Sequence, residues 1–157
     1  MEQLWAPWRM EYIQMKKPEG CILCDKPKEQ NDDANHILYR GKLNFVMMNN
    51  YPYNPGHMMI APYRHISSLD ELTDAELHEQ AVILKKCIRI LKKTFRPEGF
   101  NTGTNMGKVA GAGIADHVHT HIVPRWQGDT NFMPVIGNVR VVPEALAETY
   151  ARLKDEF

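Results

Sequence analysis

The chain predicts an α+β fold: one antiparallel sheet, one long crossover helix and a C-terminal helix. Three observations carry that prediction. Short β-prone runs bounded by turn signals fall at residues 37–40, 43–49, 57–62 and 99–105. One long stretch from Thr73 repeats apolar residues at helical spacing and stops before Pro97. That helix interrupts the strands only once, which is not the regular alternation of a parallel α/β sheet. With 157 residues, the chain suits one domain with a real core. Nineteen basic and nineteen acidic residues cancel, which argues against a nucleic-acid surface or a polybasic membrane patch. No apolar run reaches bilayer length, the N-terminus lacks a signal peptide's apolar core, and three cysteines make no disulfide framework. A cytoplasmic location is expected.

Residues 1–20 form an extension whose Trp5, Trp8, Met10, Tyr12 and Ile13 need a surface to lie against. Docking on the domain body is expected, a partner subunit being the alternative. Cys21-Ile22-Leu23-Cys24 follows, and then a charge-rich stretch, 25–35, expected to be loop. The runs 37–40 and 43–49 read as two strands about Gly41. Asn50 to Gly56 is a loop with a Pro-Gly turn signal, and Pro62 ends the next strand three residues before His65.

Thr73-Asp74-Ala75-Glu76 has the pattern of a capping box, in which Glu76 reaches back to the Thr73 N–H. Leu77, Ala81, Leu84, Ile88 and Leu91 are expected to form the buried stripe of the helix. Cys87 is expected to be a small packed residue. A strand at 99–105 leads into a small-residue loop, 106–113. Residues 139–142 suggest a short strand, and Pro143 is placed as the first residue of a helix to about Leu153.

The chemistry concentrates in His117-Val118-His119-Thr120-His121-Ile122-Val123, where three of the seven histidines take alternate positions. On a strand, residues two apart share a face, so three imidazoles would stand where a core row would place Val or Ile. A neutral imidazole is a nucleophile near pH 7 when its other nitrogen is held by a fixed acceptor. Glycines at 107, 111 and 113 let backbone N–H groups approach an anion. Together these suggest phosphoryl or nucleotidyl transfer through a phosphohistidine-type intermediate. His-x-His also suits zinc, and the spacing by itself separates neither reading. The glycine loop and Pro55-Gly56-His57 on a second strand favour the first.

Asn49, Pro55-Gly56-His57, Pro62-x-x-His65 and His117-x-His119-x-His121 with Ile122 and Val123 resemble the histidine-triad (HIT) nucleotide-binding family over residues 21–130. Leu4-Trp5-x-Pro7-x-Arg9-Met10, Gly99-Phe100-Asn101, Ala115-Asp116-His117, Pro124-Arg125-Trp126 and Gly128-Asp129-x-Asn131-Phe132 are similar to its bacterial diadenosine tetraphosphate (Ap4A) phosphorylase branch. The resemblance implies a single HIT domain over 1–157, with a core at 21–130 followed by a C-terminal segment and helix at 131–157.

The resemblance also implies roles. His119 would attack the α-phosphorus and carry the nucleotidyl group, and His121 and His57 would contact phosphate oxygens. His117 would face inward, to a tautomer-fixing partner or a metal. Asn49 would hold the ribose, Phe45 and Met47 would flank the base, and Asn105 with Gly107, Gly111 and Gly113 would position the polyphosphate. Trp126 would line the pocket. Many members carry Gly-Gln-Ser or Gly-Gln-Thr before the triad; here Ala112-Gly113-Ile114 supplies no such side-chain donors. Zinc-bearing relatives resembling galactose-1-phosphate uridylyltransferase imply a structural zinc on Cys21, Cys24, His65 and His117. The implied reaction is Ap4A plus phosphate to ATP plus ADP in a homodimer. Water as acceptor, a nucleoside phosphoramidase, a non-catalytic nucleotide-binding module, and a zinc hydrolase using the triad as ligands stand as alternatives.

Overall fold

The structure is a computed structural model that describes residues 20–129 and 144–157. Five strands form one sheet: β1 Ile37–Arg40, β2 Asn44–Met48, β3 Met58–Pro62, β4 Gly99–Thr104 and β5 Thr120–Arg125. Their order is β1-β2-β3-β5-β4, and every neighbouring pair is antiparallel. The helices are α1 Ile22–Lys28, α2 Asp32–Asn35, α3 Asp74–Phe95 and α4 Leu146–Lys154. The crossover helix α3 joins β3 to β4, as the sequence predicts. No described helix is long and apolar enough to cross a membrane.

The sheet divides the core in two. On one face Leu38, Val46, Met48, Met58, Ile60 and Ile122 pack against Ile83, Cys87, Ile90 and Leu91 of α3 and Tyr150 and Leu153 of α4. On the other, Phe45, Met47, Met59 and Ala61 pack with Ile37 and with Leu23 of α1. Residues paired across a ladder share a face, so His121, opposite Met59, belongs to this second side.

The capping box is formed. Thr73 Oγ1 accepts from the Glu76 N–H, and Glu76 accepts from the Thr73 N–H at 2.7 Å. Arg64 donates to both Glu76 oxygens at 2.7 Å and holds that buried carboxyl down at about 2. One turn on, Glu79 accepts from the backbone N–H groups of Lys42, Leu43 and Asn44, which docks the β1–β2 turn on the helix.

The buried stripe differs from the expected one. Glu76, Gln80, Ile83, Cys87, Ile90 and Leu91 face inward, while Leu77 is 39% exposed and Ala81 is exposed. Of the expected set Leu91 is fully buried and Leu84 and Ile88 pack half-buried on the core, so the inward face keeps them and widens by one residue toward Glu76, Gln80, Ile83, Cys87 and Ile90. The cause is polar: Arg64 and the hairpin turn draw Glu76 and Glu79 toward the sheet, and hydropathy alone would turn them out.

Three further differences are local. Residues 25–35 are mostly helical, because Cys21 O starts one turn and the Asn31 side chain caps the next. Helix α4 begins at Leu146 with Ala145 as its cap, later than expected. The histidine strand begins at Thr120, not at residue 117. Upstream, the Pro62 carbonyl takes its hydrogen bond from the His117 ring, and the Val118 N–H goes to Ile66 O, so the ladder has no partner there. The expectations for the 1–19 segment, the 139–142 strand and Pro143 lie outside the described residues.

Candidate active site

Four histidines meet where β3 and β5 run side by side. His57 immediately precedes β3, His121 lies on β5, and His117 and His119 stand in the segment that leads into β5. His119 is 3% exposed, and its ring packs edge-on against His121 with centroids 4.8 Å apart. Burial holds the His119 and His117 imidazoles below the usual histidine range, so both rings are neutral near pH 7.

Backbone groups assign the protons. A carbonyl can only accept, so His119 Nδ1, 2.8 Å from His117 O, carries its proton and leaves Nε2 with a lone pair. By the same logic His117 donates through Nε2 to Pro62 O at 2.9 Å, and its lone pair is on Nδ1. An N–H can only donate, so the Tyr53 N–H at 3.1 Å makes His57 Nδ1 an acceptor. His57 then donates through Nε2 to His121 Nδ1 at 3.0 Å, which leaves the His121 proton on Nε2. A buried nucleophile-type nitrogen thus sits beside a histidine whose proton position is also set.

His117 Nδ1 faces the cysteines. It lies 3.3 Å from Cys21 Sγ and 3.4 Å from Cys24 Sγ, and His65 Nδ1 is 3.3 Å from Cys24 Sγ and 3.4 Å from His117 Nδ1. All four ligand atoms fall within 4.8 Å of one another. Tetrahedral zinc, with bonds of about 2.0–2.3 Å, separates neighbouring ligand atoms by roughly 3.3–3.8 Å. The donor set and these four separations of 3.3–3.4 Å fit such an ion. The structure therefore joins the four residues that the family resemblance grouped, from the cap and first turn of α1, the segment after β3 and the approach to β5. Of the triad, only His117 belongs to this cluster.

Other expected site residues are placed unevenly. Phe45 and Met47 reach the histidine side of the sheet but are enclosed in its second core, where Phe45 stacks on Tyr63. Asn49 Oδ1 accepts from the Tyr51 N–H, and its amide donates to Met59 Sδ, which sits in the same core. Asn105 donates to Ala110 O across the glycine loop. Gly107 and Gly111 have φ of +80° and +85°, backbone that side chains resist, and residues 108–110 form a 3-10 turn between them. Gly113 and Trp126 are half-buried.

Sequence reasoning assigned no role to the group behind His57. Asn54 donates to Pro124 O at 2.9 Å and to Asp129 Oδ2 at 2.7 Å. Asp129 also takes Arg125 through both oxygens, at 2.5 and 2.8 Å, and that guanidinium holds its carboxyl well below the usual range. The signals available were the Asn-Pro-Gly turn that runs straight into His57 and the Pro124-Arg125-Trp126 and Gly128-Asp129 segments quoted for the family resemblance.

Comparison with known proteins bears on this geometry. A family model described as the HIT domain matches residues 30–128. The "AP-4-A phosphorylase" of Mycobacterium tuberculosis H37Rv is 40% identical over 165 aligned positions, covering 100% of this chain and 85% of the relative. The "Bis(5'-nucleosyl)-tetraphosphatase [asymmetrical]" of Schizosaccharomyces pombe is 34% identical, covering 61% of this chain and 52% of the relative. Among solved structures, a Zn-bound histidine triad family protein from Mycobacterium smegmatis superposes with a TM-score of 0.70 at 22% identity, covering 87% of this chain and 92% of that one. At that identity the likeness is one of fold.

Proposed function

The chain belongs to the HIT-domain family, and from that premise we propose that it cleaves a dinucleoside polyphosphate by nucleotidyl transfer to phosphate. With Ap4A the products are ATP and ADP. The observation that carries this reading is the state of His119: buried, neutral, with Nδ1–H donated to a carbonyl and a lone pair on Nε2. The 40% identity to a phosphorylase along the whole chain supports phosphate as acceptor.

In the first step His119 Nε2 attacks the α-phosphorus of one adenosine half. The bond from that phosphorus to the bridging oxygen breaks, and ATP leaves with the electron pair. In the second step a phosphate oxygen attacks the same phosphorus, the P–N bond breaks, ADP departs, and Nε2 recovers its lone pair. His121, with its proton on Nε2, stabilises charge developing on the phosphoryl oxygens or leaving group, and His57 holds it in that state. Asn49, Asn105, the glycine loop and Trp126 serve the nucleoside and polyphosphate, with Phe45 and Met47 packed in the core behind them and not against the base. Cys21, Cys24, His65 and His117 would hold a structural zinc, which would tie the backbone around His117, whose carbonyl accepts from the nucleophile, and would supply no chemistry to the bond changes.

The test is to incubate the protein with Ap4A, with and without phosphate, and to identify the products. ATP plus ADP, formed only with phosphate, is expected. AMP plus ATP regardless of phosphate would replace the phosphorylase reading with the hydrolase named for the S. pombe relative. No turnover and no adduct would leave a nucleotide-binding module.

The working form is a cytoplasmic homodimer. The dimer is supported by β4, which among the described residues pairs only with β5 and leaves Asn101, Thr102 and Gly103 exposed. Light scattering should return twice the chain mass, and a monomer mass at micromolar concentration rules the dimer out.

A further inference from the structure

We propose that Asn54 and Asp129 are positioning residues for the His57–His121 pair, holding the turn that sets which nitrogen of His121 carries the proton. The inference deepens the reading above and rests on it only for the catalytic consequence.

His57 is fully buried and reaches its partner from the end of a loop, residues 49–57, and not from within a strand. Three contacts internal to that loop shape the last turn. The His57 N–H donates to Asn54 O at 3.1 Å, the Tyr53 N–H donates to His57 Nδ1 at 3.1 Å, and the Tyr53 ring stacks on His57 at 5.0 Å and 15°. Both hydrogen bonds come from residues that flank or include Asn54, so a small rotation of this turn would break the Tyr53 bond first. With that bond gone, the Tyr53 N–H no longer holds His57 Nδ1 as an acceptor, and the assignment passed to His121 is weakened.

What prevents the rotation is external to the loop. The Asn54 amide uses both of its N–H groups, one on Pro124 O and one on Asp129 Oδ2. Pro124 lies on β5, three residues beyond His121, so the loop is tied to the strand that carries the other member of the pair. Asp129 is fixed in turn by Arg125 and by the Trp126 N–H at 3.2 Å, and Arg125 also donates to Asn101 Oδ1 of β4 at 2.7 Å. The His57 turn is therefore referenced to β5 and, through Arg125, to β4.

Two substitutions test this. Asn54→Ala removes both donors, and Asp129→Asn weakens the anchor while keeping its shape. The first readout is nitrogen-15 NMR of the histidine rings in the substrate-free protein. Wild type should show one tautomer for His57 and for His121, each protonated on Nε2, whereas the variants should show both tautomers exchanging. The second readout is single-turnover formation of the nucleotidyl-enzyme, expected to fall about tenfold to a hundredfold with nucleotide affinity held within about twofold. Asn54→Ser, which retains one donor, should recover part of the rate. If Asn54→Ala does not fold, Asp129→Asn carries the same two readouts. Unchanged tautomers in the folded variants overturn the proposal, even if the rate falls, because the effect would then be general destabilisation. If wild type forms no adduct while the variants still mix tautomers, the positioning role stands and the nucleotidyl-transfer reading fails.

Discussion

His119→Asn will give a folded protein that binds nucleotide and forms no covalent nucleotidyl adduct. Asparagine is the informative choice because its amide nitrogen matches the reach of the imidazole Nδ1. It can still donate to His117 O, so the buried carbonyl keeps its partner and the local backbone stays put. Nothing then occupies the place of Nε2. Loss of a nucleophile typically costs at least about 10^4-fold in turnover. Thermal stability should change little, since the polar group inside is replaced by another that makes the same bond. Intact-mass measurement after mixing with Ap4A is the check: wild type gains a nucleotidyl mass, and a variant that gains the same mass sinks the assignment of His119.

Zinc removal will have the second large effect, and it will be an effect on folding first. The cluster joins residues 21 and 24 at the start of α1 to His65 after β3 and His117 ahead of β5, a span of 96 positions in sequence. An ion held by four such ligands constrains the chain as a cross-link does, and structural zinc contributes roughly 10 kcal/mol or more of binding energy in small domains that depend on it. In a domain with two cores of its own, a loss of several kcal/mol is the expected scale. Native mass spectrometry should find one zinc per chain, and chelation or Cys24→Ser should lower Tm by well over about 5 °C. A protein isolated without zinc whose Tm is unmoved by Cys24→Ser would falsify the site. The two experiments separate cleanly. His119→Asn should keep its zinc, while Cys24→Ser should lose zinc and activity together through the carbonyl of His117.

Much of the fold was legible because its local rules are strong. The β1–β2 hairpin, the strand ending at Pro62, the capping box at Thr73 and the closure of α3 before Pro97 all follow from residues within a few positions of one another. The long-range grouping of Cys21, Cys24, His65 and His117 was legible only through family resemblance, since no rule of spacing links residues so far apart. The inward face of α3 was read correctly at Leu84, Ile88 and Leu91 and missed at its N-terminal end, because buried Glu76 and Gln80 look like surface residues until Arg64 and the β1–β2 turn are folded against that end of the helix. The start of β5 was misjudged for a related reason: a strand continues only while a neighbour offers partners, and the partner at Pro62 had been claimed by a side chain.

The histidine row shows the same division. Its residue types and alternation, determined by sequence alone, put nucleophilic or metal chemistry in this stretch. Which histidine does which task was decided only by tertiary structure. Carbonyls at His117 and Pro62 and the N–H of Tyr53 assign each ring its proton, and the cysteines of a distant segment claim His117. An imidazole's two nitrogens are chemically alike until something fixed binds one of them, and in this protein those fixed groups come from three separate parts of the chain.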